Sequence, residues 1–382
     1  MTAANPALRS GPDPVLVGLG TALVAVGLVA IASASIEYGD WHYNNPWHHT
    51  LRHGMYLVLA MCAAMVAYRV PVDVWQRTSP WWLLVAFALL MLVLVPGVGR
   101  NVNGSQRWLP LGPITVQPSE IAKFALVLYT AGFLVRHGEA VRTHWEGMAK
   151  PVGILGLVAL LLLLEPDFGA TVICTGTVFG MLFLAGARLL YVLTLIGGAL
   201  GALALMVISA PYRLQRLTAY TDPWQDPFGS GFQLIQSLIA YGRGEWFGVG
   251  LGNSIQKLFY LPEAHTDFVF SIWAEETGLL GALAVILLYA ALIARIMVVG
   301  YRAQGQQEGF SAYLCYGIAL IFAGQAFVNM GVSSGLLPTK GLTLPFISYG
   351  GSSLIVSCSM LAVVLRIEHT LRAALVGRGG RS

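Results

Sequence analysis

Tyr260-Leu-Pro-Glu-Ala-His-Thr-Asp-Phe-Val-Phe-Ser-Ile-Trp-Ala-Glu-Glu-Thr-Gly278 closes the longest polar stretch of the chain and runs directly into an apolar segment that continues to residue 298. That segment exceeds the roughly 20 apolar residues a helix needs to cross a bilayer. Glu263, His265, Asp267, Glu275 and Glu276 therefore stand at the place where lipid begins. Charge is costly there, so the cluster is a functional-site candidate on position alone.

The rest of the chain repeats the apolar pattern. Hydrophobic residues make up 56% and charged residues 10%, against about 25% charge in a soluble domain. The fold class is an all-α polytopic membrane protein. Helices are expected near 15–36, 54–72, 81–96, 119–136, 151–165, 168–186, 189–210, 268–298, 311–333 and 350–367. These ten transmembrane helices form one integral domain over residues 1–382. The polar tail 1–14 shows no cleavable signal pattern, and a second tail covers 368–382. Thirteen Lys and Arg fall on the side of the termini against eight on the other, so the positive-inside rule puts both termini in the cytoplasm. The loop 211–267, between helices 7 and 8, then lies outside. The net charge of +4 reflects this bias and forms no nucleic-acid patch.

The outer segments hold the chemistry. Residues 97–118 are too polar to span and read as an interfacial or re-entrant hairpin. Pro118 suits the first turn of the helix that follows. Glu120 and Lys123 lie three apart on one side of it. With Arg107 they make either an anion site at a helix N-terminus or a pair that neutralises itself. Glu165-Pro-Asp167 reads as a tight turn in which Asp167 caps the next helix. In the long loop, Phe232 to Ile239 read as an amphipathic helix on the membrane surface. The run Gly242-Arg-Gly-Glu-Trp-Phe-Gly-Val-Gly-Leu-Gly252 supplies glycines for close backbone packing. Residues 331–353 form a turn-rich outer loop, either a plain connector or one in which Lys340 and small residues line a cavity mouth. His42, His48, His49 and His53 match no metal spacing, and neither do the four cysteines. Asp267 itself reads as an acid at a helix start, held ionised by the dipole, either as a plain terminal acid or as a general base. Carboxylates at the mouth and deeper suit a base with structural support or a proton path.

Four motifs together resemble the SEDS family (shape, elongation, division and sporulation). They are Leu261-Pro-Glu-Ala-His-Thr-Asp-Phe-Val-Phe270, Gly104-Ser-Gln-Arg-Trp-Leu109, Gln117-Pro-Ser-Glu-Ile-Ala-Lys123 and Ile347-Ser-Tyr-Gly-Gly-Ser-Ser353. Gly335-Leu-Leu-Pro-Thr-Lys-Gly-Leu-Thr-Leu-Pro345 is more similar to the division branch than to the elongation branch. The resemblance implies a peptidoglycan glycosyltransferase of the bacterial inner membrane that polymerises lipid II at the septum and releases undecaprenyl diphosphate. It puts the family's essential aspartate on Asp267, as base for the acceptor hydroxyl. Arg107, Lys123 and Lys340 would stabilise the diphosphate, with Glu120, His265 and Ser352 as further substrate contacts. Glu263, Glu275 and Glu276 would serve as supports. It implies a class B penicillin-binding protein of FtsI type as partner, with FtsQ, FtsL and FtsB as activators, and admits Mg2+ or Mn2+. Two positions depart from the family pattern: Phe259 stands where an acid can occur, and Glu165 replaces a common glutamine. The competing expectations are a lipid II flippase, with Glu120, Lys123, Glu275 and Glu276 lining a headgroup path, and a scaffold that only recruits the transpeptidase.

Overall fold

The computed structural model describes residues 11–102, 105–112, 114–208, 220–338 and 341–379. The chain opens with α1 (Pro14–Tyr43), α2 (His48–Arg69) and α3 (Val72–Leu94). Asp13 starts α1 by accepting a hydrogen bond from Val15 N, with Pro14 at the first helical position. That is the residue pair expected at a helix start.

The third helix was expected near 81–96 but begins nine residues earlier, at Val72. Pro80 lies inside α3 and leaves the Gln76 carbonyl without its helical donor. The Ser79 hydroxyl donates to that carbonyl at 2.9 Å, so the helix passes through the proline. Residues 97–118 give a small antiparallel sheet: β1 (Arg100–Val102), β2 (Ser105–Leu111) and β3 (Ile114–Val116), in that order. The hairpin expectation is met, while an all-α description misses these strands.

Then follow α4 (Pro118–Thr143), α5 (Ala149–Leu164), α6 (Phe168–Leu184) and α7 (Leu189–Ile208). The outer loop contributes α8 (Phe232–Gly244), and the chain ends with α9 (Val269–Gly305), α10 (Gly309–Ser333) and α11 (Gly351–Gly379). Among the described residues, eight helices are long and apolar enough to cross a membrane, and α6 and α7 are shorter apolar helices. The helix α4 is the bundle's centre. It is buried along nearly all its inner length and packs against α3, α5, α6 and α10.

The helix α8 is amphipathic, as expected, but its inner face meets protein. Leu234, Ile235, Ser237 and Ala240 are buried, and Ser237 Oγ shares a hydrogen bond with Ser271 Oγ at 2.6 Å and donates to Ser333 O at 2.5 Å. The helix therefore joins the outer loop to α9 and α10.

The helix α9 is not continuous. Gly278 has φ +69° and ψ −168°, conformations open to glycine but not to L side chains. The broken backbone is completed by a strap, Glu245 to Gly250. Val249 N and Gly250 N donate to the carbonyls of Glu275 and Glu276, each at 3.0 Å, while Leu279 N and Leu280 N donate to Glu245 O and Trp246 O. A Cβ on Gly244, Gly248 or Gly278 would strike the opposing backbone. The glycine run is thus the close-packing element the sequence suggested, and its partner is an apolar helix interrupted near its N-terminal end.

Candidate functional site

Asp267 closes the loop that precedes α9, and three consecutive carbonyls of that segment are gripped from other elements. Tyr349 N donates to His265 O at 3.0 Å. Ser348 Oγ donates to Thr266 O at 2.7 Å. Asn329 Nδ2, from α10, donates to Asp267 O at 2.9 Å and to Leu342 O at 2.6 Å. The segment is therefore tied at successive residues to α10 and to the 341–349 loop, which fixes the direction of the Asp267 side chain.

Among the described residues, that side chain has no hydrogen-bond or ion-pair partner. Gly341 packs against it: a Cβ built there would lie 2.8 Å from Asp267 Oδ2. Burial pushes the carboxyl up to about 7; the neighbouring Glu263 adds to the rise, and the Arg107 guanidinium opposes it. This corrects the expectation that the helix dipole holds Asp267 ionised. Phe268, not Asp267, is the N-cap of α9, and no side chain caps it. Asp267 is a half-buried carboxyl poised near neutrality.

Arg107 reaches the same region from β2. Its Nε donates to Glu165 O at 3.0 Å and its Nη2 to Pro166 O at 2.5 Å. Carbonyls hold the guanidinium without cancelling its charge, which leaves it to act on an anion. The α5–α6 connection is the tight turn expected, with Asp167 Oδ1 accepting from Ala170 N at 3.1 Å. Glu165 sits beside it, fully buried, with both carboxyl oxygens unpartnered. Burial raises its carboxyl to about 8, with Asp167 adding to the rise. At neutral pH Glu165 is therefore a neutral acid, close in shape to the glutamine that the motif comparison expected there.

The remaining sequence candidates separate. Lys123 Nζ bonds Glu120 Oε1 at 2.8 Å, and both side chains are almost wholly buried. Of the two readings left open, the self-neutralising pair is the one built, although Glu120 Oε2 remains unpartnered. Ser352 is committed to the fold: it accepts from Gln117 N and donates to Thr115 O, both at 3.0 Å. It locks the β3–α4 junction to α11 and has no free donor for substrate. Lys340 lies outside the described residues.

The three carboxylates expected as supports each have a protein partner. Glu263 Oε2 accepts from Thr266 Oγ1 at 2.7 Å. Glu275 accepts from Arg243 Nη1 at 3.0 Å and from Ser254 Oγ at 2.5 Å. Glu276 meets Lys257 Nζ at 2.9 Å and Ser33 Oγ at 2.6 Å. The Glu275 and Glu276 pairs fasten the loop before α9 to α9 and α1, so these two carboxylates are engaged with protein partners.

His265 packs among other rings, at centroid distances of 5.3 Å from Tyr38, 5.0 Å from His49 and 5.6 Å from Tyr349. Burial lowers its imidazole to about 4, so it is neutral. His42, His48 and His49 belong to the same stack, which spacing alone did not reveal. Among the described residues, no three His, Cys, Asp or Glu side chains are arranged to hold a metal ion, and no step below passes through one.

Sequence reasoning missed Asn329 and Ser348. The signal for Asn329 was an amide, one of two with Gln325, in an apolar helix. Ser348 lay inside a motif already quoted, but its bond to Thr266 depends on a tertiary contact no local pattern encodes. An apolar groove of about 640 Å3 between α8, α9 and α10 is lined by side chains such as Phe270, Ala274, Leu283 and Phe327. It suits hydrocarbon, so the polar chemistry belongs to the Asp267 region.

Comparison with known proteins places these features in context. A family model described as a cell cycle protein, FtsW/RodA/SpoVE, matches residues 14–373. A probable peptidoglycan glycosyltransferase FtsW of Hahella chejuensis is 54% identical over 355 residues, covering 93% of this chain and 89% of the relative. The protein of the same description from Coxiella burnetii is 52% identical over 347 residues, covering 91% of this chain and 93% of its own. Among solved structures, one reported as "Structural coordination of polymerization and crosslinking by a peptidoglycan synthase complex" aligns with TM-score 0.73 and 34% identity, covering 94% of this chain and 97% of that one. The rod shape determining protein RodA of Thermus thermophilus aligns with TM-score 0.67 and 30% identity, covering 94% and 96%.

Proposed function

We propose that this chain, which belongs to the FtsW/RodA/SpoVE family of cell cycle proteins, is a peptidoglycan glycosyltransferase that polymerises lipid II during septal wall synthesis. The observation that carries the reading is the unpartnered Asp267 carboxyl, poised near neutrality and aimed by three gripped carbonyls.

Asp267 takes the proton of the acceptor 4-hydroxyl while that oxygen attacks the anomeric carbon of the donor. The new C–O bond forms as the bond to the diphosphate breaks, and undecaprenyl diphosphate leaves with the electron pair. Attack from the face opposite the leaving group converts an α-linked donor into a β-linked product. A diphosphate needs stabilisation of its charge more than a proton, so a second catalytic carboxylic acid is not required. Arg107 supplies that charge from its carbonyl cradle, and Lys340 is the second cation assigned to it. Lys123 is already balanced by Glu120.

The chain crosses the membrane ten times, α6 and α7 included, with both termini in the cytoplasm and the 211–267 loop outside. The basic-residue bias supports this orientation. The partner is a class B penicillin-binding protein supplying crosslinking, as in the complex its structural relative comes from, with FtsQ, FtsL and FtsB as division activators.

The test is reconstitution of the purified protein and its transpeptidase with fluorescent lipid II. A ladder of glycan strands is expected. Headgroup translocation across liposomes without any ladder would establish the flippase instead, and transpeptidase binding with neither activity would leave the scaffold reading.

A further inference from the structure

The helices α1 and α9 are clamped together at two levels. At one, Arg295 donates to Asp13 Oδ2 at 2.7 Å, and Arg372 and Glu368 join the same network. At the other, Ser33 Oγ and Lys257 Nζ both bond Glu276, and Lys257 Nζ also donates to Ser33 Oγ at 3.0 Å. Between the clamps Thr21 is the only polar side chain on α1. Between Gly278 and Arg295, Tyr289 is the only one on α9, and its hydroxyl donates to Pro345 O. From Asp13 to Ser33 the helix rises about 30 Å at 1.5 Å per residue. That equals the thickness of a bilayer's hydrocarbon core, about 30 Å. Charged groups avoid that core, so the two clamps mark its edges.

The outer clamp lies beside the α9 break. There the strap holds Trp246 and Phe247 level with Leu279 and Leu280 through the bonds that complete the helix. Trp246 is 64% and Phe247 80% exposed, and their surface continues into the exposed Leu279, Leu280, Leu283 and Leu287 of α9. We propose that the strap Glu245–Gly250 is a membrane-contacting element whose Trp246 and Phe247 enter the outer leaflet at the Gly278 break, so that hydrocarbon ends there and not at Asp267. An aromatic pair at a lipid–water boundary is where such side chains are favoured.

The consequence deepens the proposed function and rests on Asp267 being the base. Asp267 precedes the first residue of α9, and from Val269 to Glu276 that helix rises about 10 Å. The headgroup layer is about 5–8 Å thick on each side. Asp267 is thus above the level of a lipid's phosphates, at the height of the sugar that a lipid-linked diphosphate carries into water.

The test uses the full-length protein in phospholipid nanodiscs, with a nitroxide at Phe247→Cys and Cys62, Cys174, Cys315 and Cys358 replaced by alanine. Collisions with oxygen, which partitions into lipid, are compared with collisions with a water-soluble nickel chelate. Labels at Leu287→Cys and Gln225→Cys serve as membrane and aqueous references. The expected oxygen-to-nickel ratio at 247 is at least threefold above that at 225 and close to that at 287. A ratio matching 225 overturns the proposal, as does a label shielded from both reagents, which would mean that protein covers the strap. If the cysteine-free chain does not fold, benzoyl-phenylalanine at 247 in the otherwise unchanged chain is expected to form a phospholipid adduct on irradiation, and the absence of that adduct overturns the proposal. Neither readout involves polymerisation, so its failure would leave the Asp267 reading intact, and failure of that reading would leave the depth result intact.

Discussion

Gly341 presses its backbone against the Asp267 carboxyl so closely that a Cβ at position 341 would lie 2.8 Å from Asp267 Oδ2. The contact is steric and not conformational, because Gly341 does not occupy the left-handed region. Gly341→Ala should therefore fold normally yet displace the carboxylate. A displacement of 1 Å costs about a hundredfold in a positioned reaction. Single-turnover polymerisation should fall by at least tenfold, with the thermal unfolding midpoint unchanged.

The pH dependence follows from the groups around Asp267. Burial raises its carboxyl to about 7, and a base works only when ionised. The rate should therefore rise with pH through about 7 and level off above it. Removing the Arg107 charge takes away a group that lowers the value, so Arg107→Gln should move this limb to higher pH. Glu263→Gln removes a group that raises it and should move the limb to lower pH. Opposite shifts in the two profiles are the outcome to look for, in addition to any loss of rate.

Glu165 is held neutral by burial, so Glu165→Gln should be nearly silent. Its rate should stay within about twofold of wild type, since no charge is lost at neutral pH. Glu165→Lys in the same place would bury an uncompensated charge, and folded yield should collapse.

Lys257 and Glu276 form a buried pair between the outer loop, α9 and α1. Removing one partner leaves a buried charge alone and costs about 3–5 kcal/mol. Lys257→Met should lower the unfolding midpoint sharply, and Lys257→Met with Glu276→Gln should recover part of that loss. A double-mutant cycle on detergent-solubilised protein measures the coupling.

The helices were legible because nearly every one is a long apolar run, and their order follows from that alone. Their ends were not: α3 runs on through Pro80, where the Ser79 hydroxyl replaces the missing donor. The strap across Gly278 was half visible, since the glycines announced close packing but not what they packed on. The residue at the centre, Asp267, was legible from its place at the end of the outer loop and from the surrounding motif. Its ionisation was not, because the burial that raises it comes from segments far along the chain. Lys123 and Ser352 show the converse. Their residue types suited a ligand, but Lys123 is paired with Glu120 one turn away on its own helix, and Ser352 is held by Gln117 and Thr115 from far along the chain.

The most direct test of the account is lipid II polymerisation by purified Asp267→Asn beside wild type, each with its transpeptidase partner. Asparagine keeps the side chain's shape and the backbone grip from Asn329, Ser348 and Tyr349, but cannot take a proton. The account predicts a folded protein that still binds its partner and makes no glycan strands. Strands formed at the wild-type rate would contradict it.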